Sequence, residues 1–331
     1  MRVLFCGETF PEASLRLVRR LSGSGHEVVV CAQRDIIEYV DGVDVVIPAI
    51  SRIDARVLER GRFGLVQQFG VGLDTVDIEA ATRCGVWVAR APSSISGNAA
   101  SVAEHALLLM LMLSRKMAET RQTLAQQRVG EPLGMAILGK TACIVGMGNI
   151  GAALAQRLDA CGMRLLAVDD HDHPDRRLAP GVRIERFFKM AKLPEAIGMA
   201  DYIILGINYH DGLCNLFNRD LFRAAKPGAF LINVARGGLV DHHDLLEALR
   251  SGQIAGAGLD VFWHEPVDPA SPLFRQNVIA TPHIAGVTDV SYDGTASLCA
   301  DNIARYARGE VPLYTVNSPA GIRRREKPLS E

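Results

Sequence analysis

The side chains with the most chemistry sit in three short runs: Asn233-Val234-Ala235-Arg236-Gly237, Glu265-Pro266 and Thr281-Pro282-His283. Arg236 offers a planar fork that grips carboxylate oxygens in pairs and keeps its charge at any working pH. His283 can give a proton to a nascent alkoxide and take one from an alcohol near neutrality. Glu265 would orient that imidazole and stabilise its charged form. Singly these are also a strand-end surface charge, an acid before a turn proline and a polar residue after a proline. Together they stand at the C-terminal ends of apolar strands, where open α/β sheets place their ligands, and they suit reduction of a 2-oxo acid.

A hydride source is written upstream, in Gly146-Met147-Gly148-Asn149-Ile150-Gly151. The run follows an apolar strand, Thr141 to Val145, and opens a helix, Asn149 to Ala160. In that setting Gly146 permits the tight turn, Gly148 lets backbone approach a pyrophosphate, and Gly151 allows close helix-to-strand packing. The helix start at Asn149 and Ile150 presents free N–H groups and a partial positive charge to phosphates. Asp169 ends the next strand 23 positions after Gly146, near the spacing of about 20 for the acid that bonds the ribose hydroxyls. A carboxylate there repels a 2′-phosphate and favours NAD over NADP. The neighbouring Asp170, Arg176 and Arg177 keep that choice open.

The elements that must hold these groups fall into two series. Short runs at Met1–Gly7, Val28–Cys31, Asp44–Ile47, Leu65–Gln68 and Val86–Ala89 alternate with longer mixed segments, the rhythm of a parallel sheet covered by helices. A helix over Ser101–Arg115, apolar on nearly every side, reads as buried. Six further strands follow at 141–145, 164–168, 202–205, 230–234, 256–261 and 278–280, matching a complete dinucleotide-binding sheet. A last amphipathic helix, Val290 to Ala307, offers Leu298, Ile303 and Tyr306 for burial and must pack on something earlier. At 331 residues the chain exceeds what one core usually organises, which implies two domains.

Bulk properties narrow the partners. With 48% hydrophobic residues, 22% charged and a net charge of -1, nothing draws the chain to nucleic acid or an anionic membrane. Arg323-Arg324-Arg325 falls short of a basic patch and reads as a solvated tail. The seven cysteines are scattered, odd in number and free of any C-x-x-C pair, which fits a reducing cytoplasm rather than a disulfide framework or zinc site. The N-terminus lacks the features of a signal peptide, and the longest apolar run, Ala106 to Leu113, is too short to span a bilayer. His171 and His173 read as loop residues with no metal assigned. His242 and His243 read as surface residues at a helix start beside Asp241.

The collinear set Phe69-Gly70-Val71-Gly72-Leu73-Asp74, Val102-Ala103-Glu104-His105, the Gly146 turn, Asn233 to Gly238, Leu259-Asp260-Val261-Phe262, Glu265-Pro266 and Thr281 to Gly286 resembles the D-isomer-specific 2-hydroxyacid dehydrogenases. The resemblance covers essentially the whole chain. It implies an α/β fold of two doubly wound parallel-sheet domains, with a Rossmann NAD-binding domain (99–287) inserted into a flavodoxin-like substrate domain (1–98 and 288–331). It further implies a homodimer to which the buried helix contributes. By the same resemblance Arg236, Glu265 and His283 form the catalytic set. Val234, Ala235, Arg236, Asp260, His283 and Gly286 then join the glycine turn and Asp169 as cofactor contacts, and Val71, Gly72, Arg236 and His283 hold substrate.

Within the family, Glu265 disfavours formate, because the formate dehydrogenases carry glutamine beside the histidine. The chain also ends too soon after its last helix for the regulatory domain of the longer phosphoglycerate dehydrogenases. One segment departs from the pattern: Gly206-Ile207-Asn208-Tyr209-His210-Asp211 replaces the usual Pro-Leu-Thr near the cofactor. His210 reads as an exposed loop residue. A phosphorylated substrate would need cations in the first domain, where Arg34, Arg52 and Arg62 are visible but none is placed by motif. Glyoxylate, hydroxypyruvate or pyruvate come first. The rival reading is an NAD-sensing scaffold like the corepressors that resemble this family, although those carry longer partner-binding tails than the one after Val316.

Overall fold

Both strand series close into parallel sheets, and strands 45–47, 141–145 and 202–205 are buried along their whole length, which is why such strands read as apolar runs rather than alternations. The computed structural model describes residues 1–7, 9–170 and 178–323. His171, His173, Arg176, Arg177, Arg324 and Arg325 lie outside the described residues. The chain divides into two compact units, Met1–Asn98 with Asp289–Glu331, and Ala99–Thr288.

In the first unit β1 (Arg2–Cys6), β2 (Glu27–Cys31), β3 (Val45–Ile47), β4 (Leu65–Gln67) and β5 (Trp87–Ala89) lie in the order β2-β1-β3-β4-β5. The connecting helices are α1 (Pro11–Leu21), α2 (Ile36–Tyr39), α3 (Ala55–Arg60) and α4 (Ile78–Arg83). Asp54 and Asp77 start α3 and α4 by accepting from the Val57 and Ala80 N–H groups, the ordinary N-cap device. The C-terminal helix, Asp289–Arg308, returns to this unit and buries Tyr292, Ala296, Cys299, Ile303 and Tyr306. Leu298, expected in the core, is only half-buried. The inward stripe runs through 292, 296, 299, 303 and 306, and Leu298 stands one position off it.

The arginine run corrects another expectation. Arg323 is anchored rather than solvated: its guanidinium donates to the Leu58 and Gly61 carbonyls at 2.6 and 2.5 Å, and its carbonyl accepts from the Tyr306 hydroxyl at 2.9 Å. The segment leading to it pairs along β5, with Thr315 bridged antiparallel to Ala89. Glycine at position 64 admits this strap, since a Cβ there would stand 1.9 Å from the Arg323 carbonyl oxygen.

The second unit opens with α5 (Asn98–Ser114) and α6 (Met117–Ala125). Its strands are β6 (Thr141–Val145), β7 (Arg164–Val168), β8 (Arg186–Phe188), β9 (Tyr202–Leu205), β10 (Ala229–Asn233), β11 (Ile254–Leu259) and β12 (Val278–Ala280). They lie in the order β12-β11-β10-β9-β6-β7-β8, all parallel. The helices between them are α7 (Asn149–Ala160), α8 (Leu193–Gly198), α9 (Arg219–Ala224) and α10 (His242–Arg250). The sequence pattern predicts six strands and the sheet has seven. The extra one, β8, is a three-residue edge strand with two exposed positions, too short and too open to show an apolar period.

Helix α5 is not buried all round. Ala99, Val102, Ala103, Ala106, Leu109, Met110 and Leu113 face the core, while Leu108 and Leu111 are 47% and 37% exposed. The Ser114 hydroxyl bonds the Tyr202 hydroxyl at 2.7 Å and so ties the end of α5 to β9.

Candidate active site

The strand order of the larger sheet reverses between β6 and β9, and the carboxyl ends of strands at such a reversal are where open α/β sheets place their ligands. The glycine turn stands there. Gly146 has φ +98°, and a Cβ on it would meet the Ile207 backbone at 2.7 Å. Gly151 is equally constrained, because a Cβ would approach the Gly146 carbonyl oxygen to 2.1 Å. Gly148 differs: nothing lies within 4 Å of the position its Cβ would take. Two glycines are therefore required by the protein's own packing, and the middle one leaves open space at the start of α7. The helix presents Asn149 and Ile150 there, both half-buried. Asp169 follows β7 and accepts the Met147 N–H at 2.7 Å, so acid and turn are fixed to each other. This donor set fits a dinucleotide: backbone N–H groups at a helix start for the pyrophosphate and a carboxylate at the end of the neighbouring strand for a ribose.

The second cluster is built by three strand ends. Asn233 closes β10, and its side-chain amide donates to the Arg236 carbonyl at 2.9 Å while its oxygen accepts the Ala235 N–H at 3.1 Å. This ring shapes the Val234–Arg236 turn, and Arg236 itself is half-buried in extended backbone. Gly237 is needed because a Cβ would meet the Phe262 carbonyl carbon at 2.2 Å.

Glu265 and His283 meet directly, Oε2 to Nδ1, at 2.7 Å. The other carboxylate oxygen accepts the Phe262 N–H at 3.0 Å. Burial works against the charged form of Glu265, but the hydrogen bond and charge of His283, the Phe262 N–H and the charge of Arg236 outweigh it and hold the carboxyl below its ordinary value. The carboxylate thus takes up Nδ1 of the ring.

Asp260, beyond the end of β11, joins the Asn233 and His283 runs. Its N–H donates to the Asn233 carbonyl and its own carbonyl accepts the His283 N–H. Its side chain is 1% exposed and turned inward beneath the histidine loop, whose last residues, Ala285 and Gly286, are buried and half-buried. The cluster of Arg236, Glu265, Asp260 and His283 thus belongs to one sheet edge, as does the glycine turn.

The atypical loop after β9 lies along the same edge. Ile207 abuts Gly146, and the Tyr209 ring covers Gly238, coming within 3.1 Å of where a Cβ would stand. Asn208 and His210 are exposed. His242 is half-buried: its ring lies 4.5 Å from that of Trp263, tilted by 37°, and the Trp263 indole N–H donates to the Val240 carbonyl. His243 is exposed.

In the first unit Val71 and Gly72 lie in the half-buried loop after β4. Sequence reasoning passed over the residue that holds this loop. Gln68 donates to the Ala49 and Gly72 carbonyls at 2.9 and 2.6 Å and accepts the Phe69 N–H at 2.9 Å. Beside it, Gln67 accepts from the Asn302 amide at 2.7 Å. Two adjacent glutamines at a strand end gave no chemical signal. Arg34, Arg52 and Arg62 are all exposed.

Residues 107–285 match the family described as D-isomer specific 2-hydroxyacid dehydrogenase, NAD binding domain. The chain is 34% identical over 306 residues to the glyoxylate reductase of Thermococcus onnurineus (strain NA1), covering 88% of this chain and 87% of that one. It is 34% identical over 303 residues to the D-3-phosphoglycerate dehydrogenase of Mycobacterium leprae (strain TN), covering 86% of this chain and 56% of that longer protein. Among solved structures, the NADPH-dependent glyoxylate/hydroxypyruvate reductase of Sinorhizobium meliloti, in complex with NADP and malonate, is similar with a TM-score of 0.81. That match has 28% identity and covers 98% of this chain and 99% of the other.

Proposed function

The chain belongs to the D-isomer-specific 2-hydroxyacid dehydrogenase family, and we propose that it is an NAD-dependent reductase of small, unphosphorylated 2-oxo acids. The observation that carries this reading is the 2.7 Å contact of Glu265 with His283 on the sheet edge that also bears Arg236. The Gly146–Gly151 turn and Asp169 would hold a nicotinamide dinucleotide, which would supply the hydride for reduction or take it in oxidation. Arg236 grips the carboxylate and draws charge onto the carbonyl oxygen. His283, held through Nδ1, delivers a proton from Nε2 to the oxygen as it becomes an alkoxide and takes it back in the oxidation. Glu265 keeps the ring in that orientation and offsets the imidazolium charge, the part an acid plays behind a catalytic histidine. Val71 and Gly72 are assigned to the substrate carboxylate through their backbone N–H groups.

NAD is preferred to NADP because Asp169 places a carboxylate where a 2′-phosphate would need a cation. A homodimer is supported by the apolar side chains exposed between 108 and 138, namely Leu108, Leu111, Leu124, Val129, Leu133 and Leu138. Among the described residues no helix is long and apolar enough to cross a membrane.

The test is oxidation of NADH and of NADPH by the purified protein against glyoxylate, hydroxypyruvate, pyruvate, an aromatic oxo acid and phosphohydroxypyruvate. Turnover of an unphosphorylated acid with NADH is expected. Tight NADH binding with no turnover of any of them would remove the assignment.

A further inference from the structure

His283 sits in left-handed backbone, φ 55°, a conformation that costs a non-glycine residue energy and must be imposed by its surroundings. The imposing contacts come from Asp260. One carboxylate oxygen accepts the Ile284 N–H at 2.8 Å, and the other accepts the Ala285 N–H at 2.9 Å. With the His283 N–H on the Asp260 carbonyl, three successive N–H groups of the histidine loop end on one residue.

Asp260 is held in turn. The Thr281 hydroxyl donates to its Oδ1 at 2.6 Å. A hydroxyl has one proton, so the bond between Thr281 Oγ1 and His105 Nε2, 2.8 Å long, must run from His105 as donor to Thr281 as acceptor. His105 Nε2 also lies 3.5 Å from Asp260 Oδ1. His105 stands midway along α5, on a helix whose flanking residues Val102, Ala106 and Leu109 are buried. The helix is thereby connected through two hydrogen bonds to the Asp260 carboxylate, and through that carboxylate to the backbone of the histidine loop.

We propose that His105 and Thr281 are positioning residues that fix the His283 loop through Asp260. This rests on the reading of His283 as the acid–base group. Neither residue needs to touch substrate. Their work is to keep Asp260 turned toward the 284 and 285 amides, so that His283 holds its left-handed backbone and its Nε2 stays aimed. Misplacement of a catalytic group by about 1 Å costs on the order of 100-fold in rate, so small loosening of this chain should be read directly in kcat.

The test compares Thr281→Val, which keeps shape and loses the hydroxyl, with Thr281→Ser, which keeps the hydroxyl, and His105→Leu with His105→Gln. Expected are kcat losses of about 10- to 100-fold in Thr281→Val and His105→Leu, with NADH dissociation constants within about twofold, and recovery of most of the rate in Thr281→Ser and His105→Gln. The double variant should lose little more than either single one, because the two act in series. Hydrogen exchange at Ile284 and Ala285 should quicken in the two damaging variants, a readout that needs no turnover. Unchanged kcat in both, in a wild type that turns over and a His283→Ala variant that does not, overturns the positioning role alone. A wild type with no oxo-acid turnover overturns the functional reading, and with it the catalytic purpose of this chain.

Discussion

The carboxyl edges of the two sheets are built from opposite chemistry. In the five-stranded sheet the loop after β4 is held by neutral amides: Gln68 bonds three backbone groups and Gln67 bonds Asn302. In the seven-stranded sheet the Asn233 amide shapes the Arg236 turn, and the other loops are held by carboxylates: Asp169 on the Met147 N–H, Glu265 on Phe262 and His283, Asp260 on Ile284 and Ala285. Amides fix a backbone without titrating, which suits the proposed part of this loop in presenting N–H groups. Carboxylates fix a backbone and also set the charge around an imidazole and a guanidinium. On the proposed reading, chemistry and support use the same atoms on one edge and only support is needed on the other.

Removing the proposed acid–base group should give the largest effect. His283→Ala is expected to lower kcat for oxo-acid reduction by roughly 100- to 10,000-fold while NADH still binds, as titrated by fluorescence. Equal loss of cofactor binding would mean the histidine serves the nucleotide instead. Gln68→Leu should do less and differently. With the amide gone, the Gly72 and Ala49 carbonyls and the Phe69 N–H lose their partner, and KM for the oxo acid should rise about 10-fold with kcat and NADH affinity nearly unchanged. A drop in kcat equal to that of His283→Ala would erase the contrast between the two edges.

Smaller effects concern stability. Arg323→Ala removes the donor to two carbonyls and should cost the first unit about 1–2 kcal/mol, measured by urea denaturation. No change would return the residue to a solvated tail. The pH dependence should be smaller still, since Glu265 and His283 are partly exposed. Glu265 is held below its ordinary 4.5, so its contribution is fully present above that value and is lost as pH falls through the lower folded value. The acid limb of thermal stability should therefore be shallower in Glu265→Gln than in wild type. Identical limbs would show that other carboxyls dominate there.

Much of this was legible in the chain because the signals are local. The strands at 141–145, 164–168, 202–205 and 278–280 are bounded as their apolar runs predict, and the Gly146–Gly151 spacing fixes strand, turn and helix together. Edge strand β8 was not legible, nor was the side of α5 that stays open, since Leu108 and Leu109 look alike in sequence yet one is exposed and the other buried. Arg323 looked like a third of a basic run, and only the fold brings it to the carbonyls that end α3.

By itself the sequence determined which residue types are available at which strand ends, because backbone period, glycine tolerance and charge are properties of a few neighbouring residues. It could therefore name Arg236, Glu265 and His283 and the acid after β7. Only the tertiary structure decided which polar groups meet: His105 with Thr281 across 176 positions, Asn302 with Gln67 across 235, and Asp260 with the two amides beyond His283. Such pairings are set by how strands and helices pack, and a hydrogen bond a few ångströms long leaves no trace in the spacing of the residues that make it.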